Sequence, residues 1–269
     1  MTQTITFGNF KGGVGKTSNS TLVALDLSNR GYKTLLVDLD PQGNATNLLL
    51  NTKVNIDGKV VHFKKSLMAS IEDGDLTQSL IHIKENFDIL ASAPDFALFP
   101  RYMEKIKDYN ERVKEFSNLI KPVKDKYDYV IIDTPPTISL ITDSALYASD
   151  YCVIVMQTHE HSFEGAQAFI EYIQEQVIDT YKAPRLEIVG ILAVLLQAGA
   201  PVDEATIQNA INQFGTENIF KHKIHSMQRI KRYGITGITV PRPFDGRVFK
   251  VYKDVTDEML KRMEAIENG

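Results

Sequence analysis

The chain of 269 residues contains a single cysteine, Cys152, and this scarcity excludes several kinds of protein. One thiol cannot form an internal disulfide, and it cannot supply the ligands of a cysteine-bound metal cluster. Cys152 lies within the apolar run Tyr151–Met156, where we expect it to pack in the core. Disulfide-stapled folds and iron–sulfur electron carriers are therefore excluded.

Long hydrophobic runs and an excess of positive charge are also missing. No apolar run approaches the roughly 20 residues that a membrane-spanning helix needs, and residues 1–4 lead into a strand pattern without a signal peptide. We therefore expect a cytoplasmic protein. The 30 Lys and Arg residues are outnumbered by 34 Asp and Glu residues, which gives a net charge of −4. Any site for a polyanion must be a local patch.

The chain has no repeats, low-complexity tracts or flexible linkers, so we predict a single domain over residues 1–269. Strand-like runs alternate with segments of helical periodicity. Several of these runs are apolar at nearly every position, which is typical of parallel strands covered on both faces. The pattern predicts an α/β fold with a doubly wound, mainly parallel sheet and helices on both faces. The strands are predicted at Ile5–Phe10, Thr34–Leu39, Phe87–Leu90, Tyr129–Asp133, Tyr151–Met156 and Leu186–Leu196.

The segments between the strands predict the helices. Residues 51–80 have mixed polarity and no strong period, so we interpret them as an insertion with a short helix near Ser66–Ile71. The C-terminal segment Asp254–Glu267 has apolar residues at helical intervals among many acids, and we expect it to pack on the domain. The remaining helices are predicted at Ser18–Arg30, Phe96–Lys121, Ser162–Thr180 and Val202–Phe214.

A glycine-rich string, Lys-Gly-Gly-Val-Gly-Lys-Thr at residues 11–17, stands between the first strand and the first helix. Its glycines allow backbone N–H groups to close around a phosphate chain, and the helix N-terminus adds partial positive charge. In such a loop Lys16 reaches the β and γ phosphates, and the Thr17 hydroxyl holds Mg²⁺. The predicted nucleotide-binding residues are Gly12, Gly13, Val14, Gly15, Lys16, Thr17 and Ser18.

The loop departs from the usual pattern at its start. Glycine is expected five positions before Gly15, but this chain has Phe10 there, followed by Lys11. Since Lys16 already serves the bound nucleotide, Lys11 is an additional cation that is free to serve a second phosphate site. It could reach that site across a dimer interface.

Acidic residues end two of the predicted strands. Asp38 and Asp40 lie two apart and so face the same side, at the strand end where ligands bind in open α/β sheets. We predict that Asp40 positions the attacking water and that Asp38 supports its loop. Asp133 closes an apolar strand as a Walker B aspartate does, where its carboxylate meets the Mg²⁺ shell. The predicted Mg²⁺ ligands are Thr17, Asp40 and Asp133, and the predicted catalytic residues are Lys11, Lys16 and Asp40.

The densest basic segment of this acidic chain runs from residue 221 to residue 233. A local concentration of positive charge is what contacts to nucleic-acid phosphates need, because each neutralised phosphate releases counterions. An ordinary solvated surface is the alternative interpretation. The predicted DNA-binding residues are Lys221, Lys223, Arg229, Lys231 and Arg232.

Three strings together resemble those of a known family. The glycine-rich loop, the segment Asp-Leu-Asp-Pro-Gln-Gly-Asn at residues 38–44 and Asp-Thr-Pro-Pro at residues 133–136 are similar to those of the deviant Walker A ATPases of the ParA/Soj partition family. The similarity continues through residues 144–146, 151–157 and 163–165 to Val-Pro-Arg-Pro at residues 240–243, and so covers most of the chain.

The resemblance implies a mechanism. ATP with Mg²⁺ would drive a sandwich homodimer in which Lys11 contacts the partner's nucleotide. The dimer would bind double-stranded DNA without sequence preference and associate with the nucleoid, and a centromere-binding, ParB-like adaptor protein would stimulate slow ATP hydrolysis. The resemblance also places Pro241, Arg242 and Pro243 near the adenine.

An alternative within the superfamily is a positioning ATPase of MinD type that binds a membrane surface instead of DNA. A membrane-targeting C-terminal helix should carry a basic polar face. The helix predicted at Asp254–Glu267 is rich in acids instead, and this favours DNA partition.

Overall fold

The computed structural model describes residues 1–61, 64–158, 160–197, 199–239 and 245–269. An eight-stranded sheet forms the centre of the molecule. Within the described ranges, no helix is both long enough and apolar enough to cross a membrane. The strands are β1 (Gln3–Gly8), β2 (Thr34–Asp38), β3 (Leu80–Lys84), β4 (Phe87–Leu90), β5 (Tyr129–Asp133), β6 (Tyr151–Gln157), β7 (Glu187–Leu196) and β8 (Ile224–His225). The helices are α1 (Lys16–Asn29), α2 (Asn44–Asp57), α3 (Leu67–Glu72), α4 (Phe99–Met103), α5 (Tyr109–Lys124), α6 (Leu140–Tyr147), α7 (Glu160–Tyr172), α8 (Pro201–Phe214), α9 (Gln228–Thr236) and α10 (Gly246–Asn268).

The sheet has the strand order β3-β4-β2-β5-β1-β6-β7-β8. All neighbouring strands pair in parallel except β3 and β4, which are antiparallel. Two hydrophobic clusters cover the two faces of the sheet, and the central strands are buried nearly throughout. The predicted doubly wound, mainly parallel α/β fold is confirmed.

The sequence pattern located the buried strands well and missed the two at the sheet's edges. The strands Phe87–Leu90 and Tyr129–Asp133 have the predicted bounds. Edge strand β3 alternates buried and solvent-facing residues, so it lacks the continuous apolar run of a central strand. Strand β8 is only two residues long, too short to give a recognisable pattern. Neither edge strand can therefore be predicted from a continuous apolar run.

The predicted single helix over Phe96–Lys121 is wrong. The chain forms a 3₁₀ turn at Pro94–Leu98, then α4, and then the separate helix α5. Asp108 caps α5, since its side chain accepts a hydrogen bond of 3.0 Å from the Glu111 N–H group. Such a cap starts a new helix within a segment whose periodicity alone suggests one.

The segment predicted as an insertion begins inside a helix. Helix α2 continues to Asp57 and ends at Gly58, which has a left-handed φ of 70°. The short helix expected near Ser66–Ile71 is α3, and the Ser66 hydroxyl caps it by accepting a hydrogen bond from the Ala69 N–H group. The division of the chain into one domain with an insertion stays a prediction.

Helix α10 packs on the domain as predicted from its periodicity. Its apolar residues Val255, Met259 and Met263 are buried in the cluster that covers one face of the sheet. The same helix carries Tyr252, whose buried side chain reaches α1.

Candidate nucleotide site and basic surface

The loop between β1 and α1 has the backbone geometry that its glycines allow. Gly13 has a φ of 76° and Gly15 a φ of 85°, both in the left-handed region that other residues rarely adopt. Gly15 stands directly before the first turn of α1. The first N–H groups of this helix have no intrahelical partner, so the loop can present them to a phosphate.

Lys16 is the buried cation of the loop, with a relative exposure of only 6%. Its Nζ atom donates hydrogen bonds to the carbonyl oxygens of Asn9 at 2.9 Å and Lys11 at 3.1 Å. Burial lowers the pKa of Lys16, while the charges of Asp133 and Asp40 act in the opposite direction. The amine is thus held at the base of the loop, with two carboxylates close by.

Asp38 and Asp133 end the neighbouring strands β2 and β5 and face each other in the strand register. Both carboxylates are fully buried. Burial, followed by the charge of Asp38, raises the pKa of Asp133, and the Thr17 hydroxyl and Lys16 offset this only in part. Burial likewise raises the pKa of Asp38. A cation bound beside them would act in the opposite direction, because it favours the ionised form of both carboxyl groups.

One side-chain oxygen of Asp133 is buried without a hydrogen-bond partner among the described residues. Its Oδ1 atom accepts a hydrogen bond from the Ser20 hydroxyl at 3.2 Å, but its buried Oδ2 atom has no hydrogen-bond partner among the described residues. Carboxylate and hydroxyl oxygens are the ligand types that Mg²⁺ prefers. Asp133 together with the Thr17 hydroxyl therefore suits Mg²⁺ chemically.

The carboxylate of Asp38 accepts hydrogen bonds that stabilise the loop after β2. Its Oδ1 atom accepts the Asp40 N–H group at 3.1 Å, and its Oδ2 atom accepts the Thr46 N–H and hydroxyl groups, each at 2.8 Å. Asp40 in turn accepts the Gln42 N–H group at 2.9 Å. Gly43, with a φ of 61°, lets the chain turn directly into α2. Asp38 thus supports the Asp40 loop, as predicted, and Asp40 itself lies beyond the end of β2.

A cavity of about 630 Å³ opens beside these elements. Its size lies within the range of ligand pockets, roughly 300–1,000 Å³. It brings the glycine-rich loop, the Asp40 loop and the segment after β5 together at the carboxyl end of the sheet. The lining residues are Gly13, Gly15, Lys16, Thr17, Ser18, Asp40, Pro41, Gln42, Asn44, Ala97, Thr134, Pro135, Pro136 and Thr137.

Lys11 is not among the described residues that line this cavity. Its N–H group donates to the Asn9 side chain at 2.8 Å, and Asn9 donates to the Val155 carbonyl at 2.8 Å. Gly165 on α7 lies against the same place, where a Cβ atom would stand 3.2 Å from the Asn9 Oδ1 atom. The backbone at the start of the loop is therefore anchored beside α7.

Phe10 stands where the loop pattern usually has glycine, and the packing of its ring explains how the bulky side chain is accommodated. Its ring packs edge-on against Phe169 and Tyr172 of α7, with centroid distances of 4.8 and 5.2 Å. The Tyr172 hydroxyl donates to the buried Asp143 carboxylate at 2.6 Å. Phe10 thus supplies an aromatic anchor at the position where the common loop pattern has glycine.

A second buried contact holds the loop's other end. The Asn19 side chain donates to the Gly15 carbonyl at 2.8 Å and accepts the Tyr252 hydroxyl at 3.0 Å. The partners Asn19 and Tyr252 are 233 positions apart in the chain, so no local pattern could reveal them. Sequence analysis also missed Asn9, a polar residue among apolar neighbours whose only local signal is that polarity.

The basic segment extends through β8 into α9. Lys221, Lys231 and Arg232 are exposed, and Lys223 is partly exposed. The guanidinium of Arg229 instead pairs with the buried carboxylate of Asp245, with Nη2 and Oδ2 3.0 Å apart. We therefore assign Arg229 a positioning role, which departs from the expectation that it contacts DNA.

The residues expected near the adenine, Pro241, Arg242 and Pro243, lie outside the described part of the chain. The prediction made for them stays a prediction.

Comparisons with known proteins identify the family. A model of the AAA domain family matches residues 2–188. The chromosome partitioning protein ParA of Myxococcus xanthus is 30% identical over 214 residues, which cover 78% of this chain and 71% of that protein. The sporulation initiation inhibitor protein Soj of Bacillus subtilis is 28% identical over 264 residues, which cover 96% of this chain and 98% of that protein.

Solved structures agree on the fold. Apo McdA of Cyanothece superposes with a TM-score of 0.80 at 19% identity, covering 96% of this chain and 100% of that chain. Cobyrinic acid a,c-diamide synthase of Mycobacterium smegmatis, with bound ATP analogue and magnesium, gives a TM-score of 0.78 at 20% identity, covering 98% and 96%. Because these identities are low, the function of neither protein transfers with the fold. The family match and the relatives near 30% identity together place this chain among the ParA/Soj partition ATPases of the AAA domain family.

Proposed function

We propose that this protein is an ATP-dependent DNA partition ATPase that hydrolyses ATP slowly as a Mg²⁺-dependent switch. The main support is the cluster at the carboxyl end of the sheet, where Lys16 and Asp40 line one open cavity and the buried Asp133 carboxylate is close enough to Lys16 to act on its charge. A buried cation at a glycine-rich loop with acidic residues opposite is the arrangement that phosphoryl transfer uses.

Each residue of this cluster has a distinct part in the proposed reaction. Lys16 and the N–H groups at the start of α1 bind the phosphates and stabilise the charge that develops on them. Thr17, Asp40 and Asp133 would hold Mg²⁺, and the ion would neutralise charge on the β- and γ-phosphate oxygens. Asp40 orients the attacking water from the rim of the pocket.

The proposal makes Lys11 a contact to the nucleotide of a second copy of the chain. Its backbone is anchored beside α7, and its side chain does not line its own cavity within the described part of the molecule. Exposed apolar side chains stand next to lining residues of the cavity: Leu98 is 52% exposed and Ile138 is 60% exposed. A partner subunit that covered the pocket would bury both of them.

The DNA contact is assigned to the exposed basic residues of the segment from residue 221 to residue 232. Positive side chains on an acidic chain suit contacts to phosphates without sequence preference. ATP-bound dimers would associate with the nucleoid, and a ParB-like adaptor that binds the centromere would stimulate hydrolysis and release them.

A MinD-like role at a membrane surface is less well supported. It would need α10 to offer its apolar residues to lipid. Val255, Met259 and Met263 are instead buried against the domain, and the Tyr252 hydroxyl is committed to Asn19.

Replacement of Lys16 by alanine tests the enzymatic part of the proposal. We expect Mg²⁺-dependent ATP hydrolysis to fall at least about 100-fold, because the cation nearest the transferred phosphate is lost. Phosphate release from the purified protein measures this. Lys114→Ala, on the exposed face of α5, is the matched control and should keep the wild-type rate. A Lys16→Ala variant that hydrolyses ATP like the wild type would contradict the assignment.

A further inference from the structure

Helix α9, which carries the basic residues Lys231 and Arg232, is held at its C-terminal end by side chains of α2. The Asn51 side-chain amide donates to the Ile235 carbonyl at 3.2 Å, and the Asn55 amide donates to the Thr236 carbonyl at 2.8 Å. The last carbonyls of a helix have no partner within the helix. These two asparagines therefore provide hydrogen-bond donors for the last two carbonyl groups of α9.

The chain directly after α9 approaches α2 without room for a side chain. Gly237 has a φ of 69°, and a Cβ atom there would lie 2.4 Å from the Thr52 backbone nitrogen. The next N–H group, that of Ile238, donates to the buried Thr52 hydroxyl at 2.9 Å. Helix α2 therefore fixes the position of α9 by close backbone packing as well as by hydrogen bonds.

The other end of α2 belongs to the nucleotide site. Helix α2 begins at Asn44, which lines the cavity, and follows directly from the Asp40 loop. Thr46 in its first turn donates two hydrogen bonds to Asp38, the neighbour of Asp133 in the sheet. A helix of 14 residues spans about 21 Å, so α2 connects the nucleotide site to α9 over that distance.

Two other residues of α9 are attached to a different support. Arg229 and Tyr233 both bond the buried Asp245 carboxylate, directly before α10, with the Tyr233 hydroxyl at 2.8 Å. Helix α9 thus bridges α2 and α10. A displacement of α2 relative to α10 would tilt α9 and move its exposed residues Lys231 and Arg232.

We propose that Asn51 and Asn55 are positioning residues that transmit the nucleotide state of the Asp40 loop through α2 to the DNA-binding face of α9. The inference rests on the proposed function, because it names the physical connection between the ATP site and the DNA surface. Coupling of this kind is a free energy shared by two sites, so DNA should also tighten nucleotide binding to the same degree.

The test compares the Asn51→Ala/Asn55→Ala double variant with the wild type. Affinity for a non-specific duplex is measured with ADP and with a slowly hydrolysed ATP analogue, and the ratio of the two affinities is the readout. We expect this ratio to be at least about tenfold lower in the double variant than in the wild type. The thermal stability of the variant and its affinity for the analogue should stay near the wild-type values. Asn118→Ala, an exposed asparagine on α5, is the control that should keep the ratio.

The outcomes separate this inference from the proposed function. A double variant that is folded, binds the analogue and keeps the wild-type ratio overturns the role of Asn51 and Asn55. If the variant does not fold well, the same ratio is measured on the single variant Asn55→Ala, which removes an amide from an exposed residue. A wild-type protein that binds no DNA in any nucleotide state overturns the proposed function itself.

Discussion

Mixing Lys11→Ala subunits with Asp40→Asn subunits is expected to restore ATP hydrolysis that neither variant has alone. We expect Lys11→Ala alone to lose at least about 10³-fold in rate, by analogy with catalytic cations that a partner molecule supplies. Asp40→Asn should lose about 10²- to 10⁴-fold, because the group that orients the attacking water is gone. The recovery arises from the geometry of a shared site.

A heterodimer of the two variants contains one intact site. The Lys11→Ala subunit keeps its own Asp40 and receives Lys11 from its partner, whereas the other pocket lacks both groups. Random pairing makes half of the dimers mixed, so the mixture should recover about a quarter of the wild-type rate. Steady-state hydrolysis at a fixed total protein concentration measures the recovery.

In the control mixture, Lys16→Ala subunits are combined with the Asp40→Asn subunits in place of the Lys11→Ala subunits. Lys16 lines its own pocket, so both sites of that heterodimer stay defective and no recovery is expected. If the first mixture also stays inactive although its heterodimers form, Lys11 acts within its own subunit or not at all. That result would contradict the proposal that Lys11 of one subunit completes the active site of its partner.

Replacement of both Lys231 and Arg232 by alanine is expected to weaken DNA binding strongly in the ATP state. Each phosphate contact that is lost should make the slope of log affinity against log salt shallower by about 0.9, so two contacts give about 2 per subunit. Affinity at low salt should fall at least about tenfold. Both side chains are exposed, and therefore the thermal stability and the ATPase rate should not change. Titration of a labelled duplex at several salt concentrations measures the slope.

Arg229→Ala separates surface charge from structure on the same helix. Its removal takes an ion-pair partner from the buried Asp245 carboxylate and should lower the melting temperature, because a buried charge loses compensation.

An unchanged salt slope in the Lys231 and Arg232 variant would place the DNA surface elsewhere on the molecule.

The sequence was sufficient for the features that local strings encode. The glycine-rich loop, the aspartates at the ends of β2 and β5 and the buried strands each leave a pattern within a few neighbouring residues. The support that Asp38 gives to the Asp40 loop was also predicted, although Asp40 lies beyond the end of β2 and not on the strand.

The features that the sequence did not reveal are contacts between distant segments. Asn19 and Tyr252 meet only because α10 packs on α1, and nothing near either residue indicates the other. Arg229 is a basic residue in a basic segment, as a DNA-contacting residue would be. Its structural role depends on its ion pair with the buried Asp245. A polar side chain has the same local pattern whether it faces solvent or an internal partner, so tertiary packing decides its function.

If ATP controls DNA binding, the nucleotide will decide whether the wild-type protein binds a non-specific duplex. Binding is measured without nucleotide, with ADP, with ATP and with a slowly hydrolysed ATP analogue. Tight, salt-sensitive binding only in the ATP and analogue states is the predicted result. Equal binding in all four conditions, or no binding in any of them while the analogue still produces dimers, would contradict the account.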